Sequence, residues 1–410
     1  ALEIQQDYLP ALTGAAEMEY NTGSPQASST LARLLARSPD NPTAHAMLGV
    51  LAFESKDPSK AVFHFEKAGA QVEQNPVSLW QFGQSLFLLN RPLEAAKKFE
   101  ALLRKQPAND AARFNLALCR YEAKQFKEAL DALSPLLPAA VPEAETLRLA
   151  AASRMALEDT EQALKLLQRA VHLYPREESH YIDLASLCLE HESYDLGLEI
   201  LEAGQKNAGP SPRLHAILGV FYAELGKHEQ AAAEFQRASD LAPEQKFGKL
   251  GLGMSMLEAG KIEESIGLLR KHLKENPEDA EAHYLLAEAL QRMGAGPGSP
   301  ELKEAFERLQ KAVALKPTLV NAKVSLGKLL LKSGDTEAAH SLLKSALRTE
   351  PENRSALYQL ALALRKSGRT KESADLLARL KAFVQKERQE ELDKNRVRLV
   401  KAPPPRIAVQ

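Results

Sequence analysis

Small residues that directly follow a large apolar residue recur along the chain at a fixed spacing of 34 residues. The phase extends back to Ala15 and, after a single step of 40, forward to Gly327 and Ala361. A period sustained over nearly all of the 410 residues indicates a repeat array rather than two or three globular domains. The sequence therefore predicts eleven tandem repeats over residues 8–387. The uninterrupted series is Gly49, Gly83, Ala117, Ala151, Ala185, Gly219, Gly253 and Ala287.

Each repeat contains a second small residue and, four positions later, a bulky apolar residue, as in Ala95 and Phe99. Residues at this spacing share one face of a helix. Because proline has no N–H and restricts the residue before it, a proline near the end of a repeat predicts the end of its second helix. Glycines such as Gly226 predict the turn between the two helices. We expect two antiparallel helices per repeat and poor tolerance of a bulky residue at Gly83 or Gly219. The closing prolines are Pro39, Pro107, Pro175, Pro243, Pro277, Pro317 and Pro351.

These residues resemble the tetratricopeptide repeat, whose pattern is aromatic-x2-Leu-Gly-x2-Tyr, then Ala-x3-Phe, then Pro. Leu218-Gly219-x2-Tyr222, Ala231-x3-Phe235 and Pro243 match it closely. The resemblance implies an all-α solenoid of helix-turn-helix units, wound into a right-handed superhelix whose concave face is lined by the first helices. Arg120 and Arg154 replace the tyrosine, and we expect their stems on apolar surface and their guanidinium groups beside carboxylates.

An aromatic stripe marks the candidate partner-binding surface. It lies one step around the first helices of repeats 2–4 from the buried stripe and includes the only tryptophan. Exposed apolar clusters of this kind are typical of interaction surfaces. The alternative interpretations are packing between neighbouring first helices and a small-molecule pocket. The stripe consists of Phe53, Trp80, Gln84, Phe87, Phe114, Leu118 and Tyr121.

Charge is divided along a chain whose formal net charge is only −1. Residues 301–410 carry 23 Lys+Arg and 13 Asp+Glu, and the remaining residues carry the compensating acidic excess. Such a gradient could orient an extended partner or drive head-to-tail association. The alternative interpretation, which the composition of helix surfaces favours, is a solvated helix face with no partner. One column of the repeats shows the change of sign: Glu122, Glu190, Glu224 and Glu258, then Arg292, Lys332 and Lys366.

Residue patterns for catalysis or for metal and phosphate binding are missing from the sequence. Cys119 and Cys188 are predicted to be small buried residues, and the shared column of His45, His215 and His283 is predicted to serve packing. The glycine-rich segment 248–253 falls within a predicted helix rather than after a strand, so a dinucleotide site is not expected. The Asn and Lys clamp with which some tetratricopeptide domains grip a C-terminal carboxylate is also missing, because the Asn places hold Val50, Gln84, Leu118 and Ala152. We expect no enzyme, cofactor or metal.

The predicted organisation is a lead-in at 1–7, the array at 8–387 with a six-residue loop insertion at 294–299, a charged helical cap at 388–400 and a Pro-rich tail at 401–410. No stretch reaches the roughly 18 consecutive apolar residues of a membrane span. Because the chain starts at Ala1, removal of a leader, and hence a cytoplasmic or extracytoplasmic location, stays open.

The predicted function is a non-catalytic scaffold that binds a protein or peptide along the concave face, chiefly through repeats 2–4. One alternative is polyanion or nucleic-acid binding by the basic C-terminal third, although interleaved acidic residues weigh against it. Another, by analogy alone, is an extracytoplasmic assembly factor for envelope or polysaccharide export. The sequence leaves the partner and the oligomeric state open. The cations in question include Lys381, Lys386, Arg388, Arg396 and Arg398.

Overall fold

The computed structural model describes residues 8–293, 296 and 298–394, with side chains through Gln389. Within these ranges the regular secondary structure is entirely α-helical, which confirms the predicted all-α class. Contacts divide the chain into an N-terminal body, up to Tyr174, and a C-terminal body, from Pro175 onward. Whether the array runs without interruption across this junction stays a prediction.

The described residues of the N-terminal body form five helix pairs and one short additional helix after the second pair. Its helices are α1 (Leu9–Asn21), α2 (Ala27–Arg37), α3 (Pro42–Glu54), α4 (Pro58–Ala68), α5 (Ala70–Gln74), α6 (Pro76–Leu88), α7 (Pro92–Lys105), α8 (Asp110–Glu122), α9 (Phe126–Leu133), α10 (Ala144–Ala156) and α11 (Thr160–Leu173).

In the C-terminal body, the part that the structure describes forms six further pairs. Its helices are α12 (Glu178–Glu190), α13 (Tyr194–Ala208), α14 (Pro212–Glu224), α15 (His228–Leu241), α16 (Lys246–Glu258), α17 (Ile262–Glu275), α18 (Ala280–Arg292), α19 (Pro300–Leu315), α20 (Val320–Ser333), α21 (Thr336–Thr349), α22 (Arg354–Lys366) and α23 (Thr370–Lys394).

Close packing of the two helices in a repeat depends on the small residue of the first helix. The ring of Phe99 lies on Gly83, where an added Cβ would come within 2.8 Å of Phe99 Cζ. Phe235 covers Gly219 at the same distance, and Leu343 covers Gly327. The bulky residue of the second helix therefore fills the space that glycine leaves, as the sequence predicted.

Helix ends follow the predicted signals. Each of the seven second helices that a proline closes ends two residues before it, as α7 does before Pro107. In α19, Ser299 caps the start by accepting a hydrogen bond from the Leu302 N–H at 3.1 Å. Gly226 adopts a left-handed conformation in the turn between α14 and α15, with φ +69°.

The first repeat departs from the predicted register. The buried residues of α1 are Leu12 and Ala16, whereas Ala15, in phase with the later repeats, is only half-buried. The left-handed turn residue that follows is Gly23, seven positions after Ala16. The whole first helix is therefore shifted by one residue relative to the sequence period.

The fourth repeat has a short second helix, because Pro135 and Pro138 follow Leu133 closely. The segment between α9 and α10 is irregular, and α11 of the next repeat forms hydrogen bonds with it. Arg169 donates to the Leu137 and Ala139 carbonyls at 2.8 and 2.6 Å.

Four predicted segments lie partly or wholly outside the described residues. They are the lead-in at 1–7, residues 294, 295 and 297 of the inserted loop, the cap beyond residue 394, and the tail at 401–410.

Candidate functional site

The structure places all seven residues of the predicted stripe on the first helices α3, α6 and α8, and each is half-buried. Trp80 packs edge-on against Phe99, with ring centroids 5.5 Å apart. Phe53 and Phe87 pack against the same apolar core as Trp80. These rings thus take part in packing and still present one side to solvent.

The part of the stripe on α8 is built in the same way. Phe114, Leu118 and Tyr121 pack against the core of the fourth and fifth repeats. Tyr121 also makes an edge contact with Phe126, at 5.4 Å between centroids. A hydrogen bond of 3.1 Å from Gln84 Nε2 to Asn115 Oδ1 joins α6 to α8, so the polar member of the stripe links two first helices.

Two apolar residues of α6 were not among the predicted site residues. Val77 and Leu88 are 59% and 66% exposed, and their spacing from Trp80 and Gln84 places them on the same helix face. The same one-step rotation around the helix that gave Trp80 could have found them. Together they extend the apolar surface of α6 along its whole length. We call the seven predicted residues together with Val77 and Leu88 the aromatic face.

The two arginines in the tyrosine place are paired as expected. Arg120 bonds to Glu100 and, at 2.5 Å, to the Gln125 side-chain oxygen. Arg154 Nη1 lies 2.9 Å from Asp159 Oδ2. These charges are therefore held by neighbours within the N-terminal body.

The charged column changes from acidic to basic between Glu258 and Arg292, and these two residues form an ion pair. Arg292 donates to Glu258 at 2.6 Å, across one repeat, and this hydrogen bond lowers the pKa of the Glu258 carboxyl. Lys366 donates to the Leu331 carbonyl at 2.8 Å, whereas Lys332 is exposed.

The histidines of the shared column have a structural role that follows from their position. His45 and His283 are buried, and each bonds to the carbonyl of the proline six residues earlier, at 2.9 and 3.0 Å. Tyr181, in the same column, donates to the Pro175 carbonyl at 2.9 Å. This column fastens the first helix of a repeat to the end of the preceding one. The recurring Pro-x5-polar spacing was the sequence signal.

His45 also lies 2.9 Å from His64, Nδ1 to Nδ1. Burial, and then the neighbouring His45, lower the pKa of His64. In the same column, His215 Nδ1 lies 2.6 Å from Glu234 Oε2.

The two cysteines and the glycine-rich segment serve packing. Burial raises the pKa of Cys119 and of Cys188 to about 12, so neither thiol is a ready nucleophile at neutral pH. Gly248 of the glycine-rich segment lies in α16, where an added Cβ would come within 2.7 Å of the Ser239 backbone nitrogen. Among the described residues, no group of three or more His, Cys, Asp or Glu could hold a metal ion. None of the described helices is long and apolar enough to cross a membrane.

A family model described as tetratricopeptide repeat matches residues 19–76, 81–144, 148–212, 182–246 and 324–387. A second model with the same description matches residues 222–289. The chain belongs to the tetratricopeptide repeat family.

Individual relatives share only low sequence identity with this chain. "Protein CTR9 homolog" of Arabidopsis thaliana is 25% identical over 276 residues, which is 65% of this chain and 24% of that protein. "Aspartyl/asparaginyl beta-hydroxylase" of Mus musculus is 23% identical over 215 residues, 49% of this chain and 24% of that protein. The tetratricopeptide chain thus spans about a quarter of the length of these curated relatives.

Among solved structures, yeast Tom70 aligns with a TM-score of 0.52 at 16% identity, covering 95% of this chain and 96% of that one. At this identity the likeness concerns the fold alone.

Proposed function

We propose that this tetratricopeptide chain is a non-catalytic scaffold that binds a protein or peptide segment through the aromatic face of repeats 2–4. Membership of the family supports the class, since stacked helix pairs create extended surfaces that such proteins use for binding. The observation that carries the choice of face is the row of Val77, Trp80, Phe87 and Leu88 along α6.

The energetics of this face favour binding. Rings that are already packed on one side lose little side-chain entropy when a partner covers the other side. Trp and aromatic neighbours supply large apolar contact areas, which dominate the free energy of many interfaces. Removing the solvent from Val77 and Leu88 adds hydrophobic free energy, because both are more than half exposed before binding.

The expected occupant is a macromolecule, because the aromatic face runs over three first helices and has few polar groups. The linked amides of Gln84 and Asn115 provide one polar position within it. In the described part of the chain, both thiols are buried and no cluster of His, Cys, Asp or Glu could hold a metal ion.

The first step of the test is to isolate and identify a protein that co-purifies with the full chain. Titrating that protein should shift the fluorescence of Trp80, the only tryptophan. Phe87→Ala with Phe114→Ala should weaken binding by tenfold or more, as expected for the loss of two anchor rings at roughly 1 kcal/mol or more each.

Phe63→Ala with Leu93→Ala is the matched control, since both residues are exposed on the second helices α4 and α7. Circular dichroism should show that each variant is folded. Equal affinities for the wild type and the Phe87/Phe114 variant, or an equal loss in the control, would refute the proposed face.

A further inference from the structure

The first helices of repeats 10 and 11 form a surface of one charge sign. Neither α20 nor α22 contains an aspartate or a glutamate, although both helices carry several cations. These helices lie side by side in the C-terminal body. We call four of their exposed cations the basic face: Lys328, Lys332, Arg365 and Lys366. The fifth exposed cation, Arg354 at the start of α22, pairs with Glu387 of α23.

These cations differ from their neighbours in having no anionic partner. Within the described part of the chain, Lys328, Lys332 and Arg365 contact no carboxylate, and Lys366 bonds only to a backbone carbonyl. One repeat earlier, by contrast, Arg292 pairs with Glu258. The basic face therefore concentrates unneutralised positive charge, and an anion placed there would relieve the mutual repulsion.

Apolar groups stand within the same surface. Tyr358 is 48% exposed on α22, and Leu362 follows it one turn later on the same helix face. Arg365 and Lys366 continue that face after a further turn. A ligand that combines negative charge with an apolar side chain would satisfy both kinds of group.

We propose that the basic face binds a short acidic segment of a partner protein, with carboxylates on the cations and an apolar side chain on Tyr358. This site lies in the C-terminal body and goes beyond the proposed function, since it does not involve the aromatic face.

Acidic groups on the neighbouring helices limit the basic face to a small area, which suits a short peptide better than a nucleic acid. Glu288 of α18 accepts a hydrogen bond from Ser325 of α20, and Glu372 of α23 pairs with Arg369, so negative charge lies on both neighbouring helices. A nucleic acid binds through many phosphates along a continuous positive surface. Four cations on two helices suit a few carboxylates of a peptide instead.

The experiment uses the full chain and a fluorescein-labelled peptide of glutamates and aspartates around a central leucine. Fluorescence anisotropy should show saturable binding that weakens with added salt. The same peptide with glutamine and asparagine in place of the acids should not bind. In the variant Lys328→Gln, Lys332→Gln and Arg365→Gln, affinity should fall about tenfold or more, because each lost cation removes one favourable pairing.

The control variant removes the same amount of charge elsewhere, by Lys303→Gln, Lys344→Gln and Lys381→Gln on α19, α21 and α23, where all three lysines are exposed. It should bind the acidic peptide as the wild type does. An equal loss in both variants would show a diffuse effect of net charge and overturn the site. Absence of binding would overturn it too.

Two further measurements distinguish an acidic-peptide site on the basic face from a nucleic-acid site and from binding at the aromatic face. Tighter binding of an oligothymidylate than of the acidic peptide, lost in the Lys328 variant, would replace the proposal with a nucleic-acid site. Phe87→Ala with Phe114→Ala should leave peptide affinity unchanged, so a failure of the aromatic face as a binding site would not affect this result. A fall in peptide affinity in that variant would contradict a separate site.

Discussion

Among the described residues, five with side chains adopt the left-handed conformation that Gly226 adopts elsewhere in the array. Each lies seven positions after the first small residue of its repeat, where the chain turns from the first helix into the second. The backbone closes this turn in the same way, as with the 2.8 Å bond from the Gln125 N–H to the Arg120 carbonyl. The five residues are Lys56, Asn90, Lys124, Glu158 and Glu192.

Replacing Lys124 by glycine should stabilise the protein. A side chain in this conformation costs about 1–2 kcal/mol, and the larger unfolded-state entropy of glycine offsets roughly 0.5–1 kcal/mol of the gain. We expect a net increase of about 0.5–1 kcal/mol, measured as a higher urea midpoint by far-UV circular dichroism. Asn90→Gly is the matched control and should gain less, because asparagine tolerates the conformation. A lower midpoint for Lys124→Gly would contradict the argument.

The sequence predicted the positions of the turns better than the residue types that occupy them. The 34-residue period locates these five turns, although it misplaces the turn of the first repeat by one residue. Glycine marks only some of the turns, because in the others the hydrogen bonds of the turn impose the conformation on residues such as Lys124 and Glu158. Likewise the stripe containing Trp80 was predictable from helix geometry. That its rings are only half covered was not, because it depends on side chains such as Phe99 in another helix.

Neighbouring helix pairs are joined by polar contacts that recur at about one repeat length. Glu281, at the start of α18, receives hydrogen bonds from Lys316 at 2.6 Å and from Lys246 of the preceding repeat at 3.0 Å. The bond from Lys316, and then that from Lys246, lower the pKa of the Glu281 carboxyl to about 2. The pair with Lys246 therefore adds to the apolar contact between repeats 8 and 9, and the pair with Lys316 joins the two helices of repeat 9.

The pH dependence of stability should reveal this carboxylate. Because its pKa is lowered by folding, the stabilisation is complete above the ordinary value of 4.5 and disappears as the pH falls from 4.5 to about 2. Glu281→Gln should lower stability near pH 7 by about 1 kcal/mol at most, since solvent screens a partly exposed group. Urea midpoints of wild type and variant should converge below pH 2. Glu278→Gln, at an exposed site, is the control, and a constant difference at all pH values would contradict the assignment.

The helix pairs themselves were predictable, because small-large spacing and closing prolines act within a single repeat. The departures from the regular repeat were harder to predict. The irregular segment after α9 depends on hydrogen bonds from Arg169, some thirty residues away, and no local pattern encodes such a contact. The predicted register of α1 was wrong for a related reason. Ala15 and Ala16 are equally small, and only burial beside the next helix distinguishes them.

For the whole molecule, the repeated geometry implies that stability is local. In an array of this kind each repeat contacts its neighbours, and stability is roughly a sum of repeat and nearest-neighbour free energies. Trp80 lies in the N-terminal body and Gly327 in the C-terminal body, so the two report on different parts of that sum.

Gly83→Val and Gly327→Val should therefore have separable effects. Each would press a side chain into the bulky residue of the second helix, Phe99 or Leu343, because an added Cβ already comes within 2.8 Å of it. Overpacking of this kind costs about 1–3 kcal/mol.

Gly83→Val should lower the urea midpoint of Trp80 fluorescence, whereas Gly327→Val should lower only the midpoint of part of the helical signal in circular dichroism. Gly267→Ala should lower neither midpoint, because the new Cβ would meet open space outside the backbone of its own helix. If Gly327→Val shifted the Trp80 transition as much as Gly83→Val, the array would unfold as one cooperative unit and the additive description would be wrong.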